Sequence, residues 1–164
     1  MSAESLHRWG ITHVITHVVS RNILGLQCEP TIEQGITYLR CSVDDRNSQD
    51  MTACFDSSIK FIQEAAKTGG RVLIHIHGRS DHSPCTMTYF ILIWSCPWRC
   101  RSRSAAVAAA WLMHSQGWAA AVAVQYLLAC NAAIDASLMF ASQLRRYRPH
   151  HRVTLPPVLP ALVW

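Results

Sequence analysis

Arg99, Arg101 and Arg103 alternate along a short stretch that also holds Cys96 and Cys100, with Ser104 next in line. A helical pattern begins at Ser104, and a cation at a helix N-terminus is unfavourable unless an anion lies nearby. Arg103 therefore reads as an anion ligand, with phosphate the natural candidate, against the plainer reading of a surface arginine. A second group, His75 and His77 with Asp81, His82 and Cys85, has the residue types of a zinc site. No third and fourth ligand farther along the chain completes it, so no metal is expected. His13 and His17 are four apart, yet they fall in a strand pattern and read as core or edge histidines.

The elements that must position these groups follow from periodicity. Residues 11–15 and 36–43 have the β-branched content of short strands, opened by Gly10 and Gly35. Asp50 can cap a helix whose apolar positions Phe55, Ile59, Ile62 and Ala66 recur at helical spacing, and Thr68-Gly69-Gly70 stops it. Residues 71–75 form an unalternating apolar run, the mark of a central strand covered on both faces. Helices are expected over 105–113, 119–130 and 135–147, the last burying Leu138, Met139, Ala141 and Leu144. Pro149 ends it, and the Pro-rich tail 149–164 reads as unstructured. The tryptophans are expected to pack, Trp111 on a buried helix. Strands alternate with helices and then helices dominate, which predicts a single α/β domain over 1–148, with a central, mostly parallel sheet flanked by helices on both faces.

Between the strand ending at His75 and the helix from Ser104 lie residues 76–100, with no clear period apart from the apolar patch 89–94. Strand-to-helix connections usually take about 2–6 residues. This one is far longer, and it sits where such a fold places its ligand. It reads as an atypical insertion.

Composition bounds the class. Of 164 residues, half are hydrophobic and 15% charged, which suits a folded core and not a disordered chain. Lys and Arg number 15 against 10 Asp and Glu, a net charge of +5 that favours anionic partners. Arg145, Arg146 and Arg148 close a helix and complement its dipole. No aromatic interleaving accompanies them, so no nucleic-acid partner is expected. The apolar stretch 105–134 is interrupted at residues 114–117 and reads as two buried helices, so no membrane span is expected. Seven scattered cysteines and no basic-then-apolar start predict reduced thiols and a cytoplasmic location, with the nucleus also open.

The runs Gly10-Ile-Thr-His-Val-Ile, Gly35-Ile-Thr-Tyr-Leu, Val43-Asp-Asp, Gly70-Arg-Val-Leu-Ile-His75, Ser102-Arg-Ser-Ala-Ala106 and Gln143-Leu144 occur in one order. Together they resemble the cysteine-dependent dual-specificity phosphatases of the protein-tyrosine-phosphatase superfamily. The similarity extends over residues 6–148 outside 76–100; the family's first strand normally precedes the segment matching residues 6–10. The resemblance implies the protein-tyrosine-phosphatase-like fold and removal of phosphate from phosphotyrosine, phosphoserine and phosphothreonine of proteins, with no cofactor. In that chemistry a strand ends in His-Cys, five residues cradle phosphate with their N–H groups, and an Arg opens a helix. The thiolate attacks phosphorus, an Asp protonates the leaving oxygen, and water hydrolyses the phosphocysteine.

Carried over, His75 is the strand-end His, Arg103 the phosphate-gripping Arg and Ser104 the hydroxyl beside it. Asp45 is the general acid, or Asp44 if the register shifts by one. The nucleophile departs from the pattern. His75 is followed by Ile76, the required spacing before Arg103 lands on Pro97, and Cys96 stands one residue too far. Cys96 remains the candidate nucleophile for an impaired phosphatase. The alternatives are a non-catalytic phosphoprotein-binding pseudophosphatase that keeps Arg103, and, more remotely, a metal-dependent hydrolase using His75 and His77.

Overall fold

The computed structural model describes residues 3–18, 35–42, 50–76, 83–88, 91–95, 101–130 and 141–149. Five strands form one sheet: β1 (His13–Val18), β2 (Thr37–Ser42), β3 (Val72–Ile76), β4 (Ser83–Thr88) and β5 (Ile91–Ser95). Their order is β2-β1-β3-β5-β4, parallel throughout except for β4, which pairs antiparallel with β5. The helices are α1 (Ala3–Arg8), α2 (Thr52–Lys67), α3 (Arg101–Gln116), α4 (Ala120–Cys130) and α5 (Ala141–Arg146).

Pleating sorts the strand residues onto two cores. Ile15, Cys41, Val72 and Ile74 face one way, into the larger core built with α2, α3, α4 and α5. Val14, Leu73 and Ile36 face the other way, where Leu6 of α1 covers them. Register places Ile15 beside Leu39 and Ile74, and Val14 beside Tyr38 and Leu73, so side chains of one face line up across three strands. This explains the unalternating run 72–74: β3 is central and buried on both faces. Helices thus cover both faces, as expected.

The helix α2 buries Cys54, Phe55, Ser58, Ile59, Ile62 and Ala65, a stripe at helical spacing. Its entry is fixed by Asp50, whose Oδ1 accepts the Thr52 N–H at 2.9 Å. At its exit the Gly70 and Gly69 N–H groups bond the Ala65 and Ala66 carbonyls at 2.9 and 3.1 Å, with Gly69 at φ +68°. That is a Schellman closure, and its left-handed residue favours glycine. The helix α3 is the hub. Residues 103–115 are all buried, because a row of alanines lets α2, α4 and the sheet approach it from several sides.

Several expectations change. Residues 76–100 are not a connection without regular elements, since they contain β4 and β5. The Thr- and Met-containing β4 carries Pro84 and a register irregularity between Pro84 and Met87, both tolerated at a sheet edge. The apolar patch becomes β5, wedged between β3 and β4. Nothing at residues 89–90 spells a turn, which hid the pair from periodicity. The helix α3 starts at Arg101, so Arg103 and Ser104 lie inside its first turn. The helix α1 was unforeseen, and Trp9 after it is exposed rather than packed. Of the helix expected over 135–147, residues 135–140 lie outside the described residues, as does the tail beyond 149.

Gly70 follows α2 without room to spare. A Cβ there would collide with Thr12 Oγ1 and press on His13 Nδ1 and the Ala65 carbonyl at 3.0 and 3.2 Å. Gly70→Ala should cost about 1–3 kcal/mol, read as a lower denaturant midpoint with an unchanged m-value.

Candidate functional site

Parallel β1, β3 and β5 end at one edge of the sheet, with His75 of β3 in register with Thr16 of β1 and Trp94 of β5. The chain leaves β5 at Ser95 and enters α3 at Arg101, so the N-terminus of α3 is fed from this carboxyl edge. Such an edge is where open α/β sheets bind ligands. The first turn of α3 holds no acidic residue. It holds Arg103 at 1% exposure and Ser104 at 0%. The Ser104 Oγ is buried without a hydrogen-bond partner among the described residues. The N–H groups of a helix start, a guanidinium and a hydroxyl make an anion-binding combination.

The charge of Arg103 reaches Cys54, in the first turn of α2, where it favours the thiolate. Cys54 and Cys41 of β2 both lie on Ser58, with Sγ to Oγ distances of 4.0 and 3.7 Å. Donation from Cys54, followed by the neighbouring serines, outweighs burial and pulls Cys41 down to about 7. The Cys54 thiol is pushed up, first by that same bond to Cys41 and then by burial.

The N-terminal end of α2 is held from far along the chain. Gln143 Oε1 accepts the Met51 N–H at 2.8 Å, and the Tyr147 hydroxyl donates to Asp56 Oδ1 at 2.6 Å. The residues between β2 and α2, which include Asp44 and Asp45, are thus flanked by two anchored ends.

Of the residues named from sequence, the structure brings Arg103 and Ser104 together in one helical turn and sets the backbone of His75 at the carboxyl edge. Asp44, Asp45, Cys96, Cys100, His77, Asp81 and His82 lie outside the described residues. Among the described residues no group of three His, Cys, Asp or Glu is placed to hold a metal ion. No described helix is long and apolar enough to cross a membrane. Sequence reading missed the Cys41–Ser58–Cys54 cluster. Its only trace was Cys54 and Ser58 one helical turn apart, and no local signal points to a partner on β2.

No protein-family model matches the chain. It is 33% identical over 97 residues to dual specificity protein phosphatase 22-A of Danio rerio, a match covering 58% of this chain and 43% of that protein. The crystal structure of human DUSP28 superposes with a TM-score of 0.63 at 27% identity, covering 89% of this chain and 80% of that one. The human tyrosine phosphatase-like serine/threonine/tyrosine-interacting protein superposes with a TM-score of 0.65 at 25% identity, covering 88% and 81%. In sequence and in fold the chain is similar to the dual-specificity phosphatases. It spans less than half the length of the Danio rerio phosphatase. Arg103 lies where the carboxyl edge of the sheet meets the α3 N-terminus, a setting suited to an anion.

Burial, and then the bond to Asp56, raise the Tyr147 phenol well above its usual value of 10.0. The native state then holds a proton that the unfolded chain loses above about pH 10, so stability falls as pH rises through that value. Tyr147→Phe should cost about 1.5–3 kcal/mol at neutral pH and flatten the decline above pH 10, both read from denaturant melts across pH.

Proposed function

We propose that this protein is a dual-specificity protein phosphatase with slowed turnover, acting on phosphotyrosine and on phosphoserine or phosphothreonine of other proteins. The observation that carries the reading is the buried Arg103 in the first turn of α3, one short connection after β5. Cys96 directly follows the last residue of β5, which recreates the order strand, Cys, connection, Arg, helix. The Cys96 thiolate attacks phosphorus, forming the S–P bond as the P–O bond to the substrate side chain breaks. Asp45 protonates the departing oxygen. Water then cleaves the phosphocysteine, assisted by the Ser104 hydroxyl, while Arg103 holds two phosphate oxygens throughout. The reaction needs no cofactor, and a reducing cytoplasm suits its thiolate.

Slow turnover follows from register. Six residues separate Cys96 from Arg103 where the family pattern has five, and a misplacement of ~1 Å can cost roughly 100-fold in rate. The same departure favours a second reading, a phosphoprotein-binding relative without turnover, which the likeness to a human phosphatase-like protein also supports.

Hydrolysis of an aryl phosphate should be measurable, insensitive to chelator and abolished in Cys96→Ser. Deleting Trp98, which shortens the connection by one, should raise kcat by up to roughly 100-fold. Phosphopeptide binding should survive Cys96→Ser and fall at least tenfold in Arg103→Lys, with circular dichroism confirming the fold. Binding without any hydrolysis selects the second reading. Absence of both refutes the phosphate site.

A further inference from the structure

We propose that Cys41 and Cys54 form a redox-sensitive dithiol, which a small peroxide converts into a disulfide joining the end of β2 to the first turn of α2. The two sulfurs converge on Ser58 Oγ at 3.7 and 4.0 Å, one from a strand and one from a helix. Both are free thiols, 5% and 7% exposed, so a bulky oxidant or reductant is excluded while peroxide is small enough to enter through local opening. Reactivity follows thiolate character and not thiol content. Here the Ser58 hydroxyl and the Cys54 thiol support a thiolate on Cys41, and the Arg103 charge adds a positive field at Cys54.

The step balances. The Cys41 thiolate attacks one oxygen of hydrogen peroxide, forming an S–O bond as the O–O bond breaks and hydroxide leaves. The Cys54 sulfur then attacks the Cys41 sulfur, forming the S–S bond as the S–O bond breaks. The hydroxyl departs with the Cys54 proton as water. Two thiols have lost two electrons and one peroxide has become two waters, the first hydroxide taking up the proton that Cys41 released earlier.

The consequence is positional. The bond would close a ring from residue 41 to residue 54 that contains Asp44 and Asp45, with twelve residues between the cysteines. The segment offered above as the source of the general acid would be fastened at its two ends. This inference uses neither Cys96 nor phosphate binding, so its outcome is separate from that of the phosphatase reading.

The full chain, reduced and then treated with hydrogen peroxide, is alkylated and digested with trypsin. Cleavage after Arg40, Arg46 and Lys60 releases Cys41 and Cys54 on adjacent peptides, 41–46 and 47–60. Expected is a linked pair lighter by two hydrogen atoms than the separate peptides, lost on adding dithiothreitol, with a raised Tm for the oxidised protein. In Cys54→Ser the link should vanish and a sulfenic-acid probe should label Cys41. Alkylation of both cysteines under conditions that oxidise Cys130 would overturn the proposal. So would Cys41 bridged mainly to any other cysteine. The native-protein mapping decides the matter even if the variant does not fold.

Discussion

A full positive charge at 1% exposure is costly to keep inside a protein, by several kcal/mol once relaxation is allowed for. Arg103 carries that charge, and it does so within the first turn of α3, where the helix dipole adds to the positive potential. Much of the surrounding construction serves to hold this turn. Alanines along α3 permit close packing by the sheet, α2 and α4, and β5 delivers the chain to the helix start. A positive field fixed by packing needs no reorganisation when an anion arrives, and that is how preorganised sites stabilise charge.

The relation between the two cysteines and this field shows how far the influence of one charge spreads. Cys54 feels Arg103 directly, and Cys41 lies beside it against the same Ser58 hydroxyl. One buried thiol, Cys54, thus lies within reach of the guanidinium, with Cys41 next to it. The β4–β5 hairpin gives a strand that feeds α3, in place of β3, so the order of elements around Arg103 is kept by a different piece of chain.

Much of the sheet was legible because β-branched runs at 11–15 and 71–75 carry their own burial pattern, and α2 because Asp50 and Gly69-Gly70 mark its ends. The place of Arg103 and Ser104 at a helix start was legible through their spacing to the helical pattern. The hairpin was not, since Pro84 argues against a strand unless the strand is known to lie at an edge, and edges are a property of the sheet rather than of local sequence. Nor were the Cys41–Ser58–Cys54 cluster and the bonds of Gln143 and Tyr147, which join residues distant in sequence. Pairings of that kind are written in the packing, and neither partner's neighbours announce them.

The Gln143 and Tyr147 contacts reach across more than ninety positions to settle the start of α2. During synthesis the chain emerges N-terminus first, so α2 and its preceding segment are completed before the residues that fasten them exist. Such long-separation contacts form late and slow the final ordering. The nascent molecule therefore carries an unfinished front edge until α5 and Tyr147 have emerged, more than ninety positions after the start of α2.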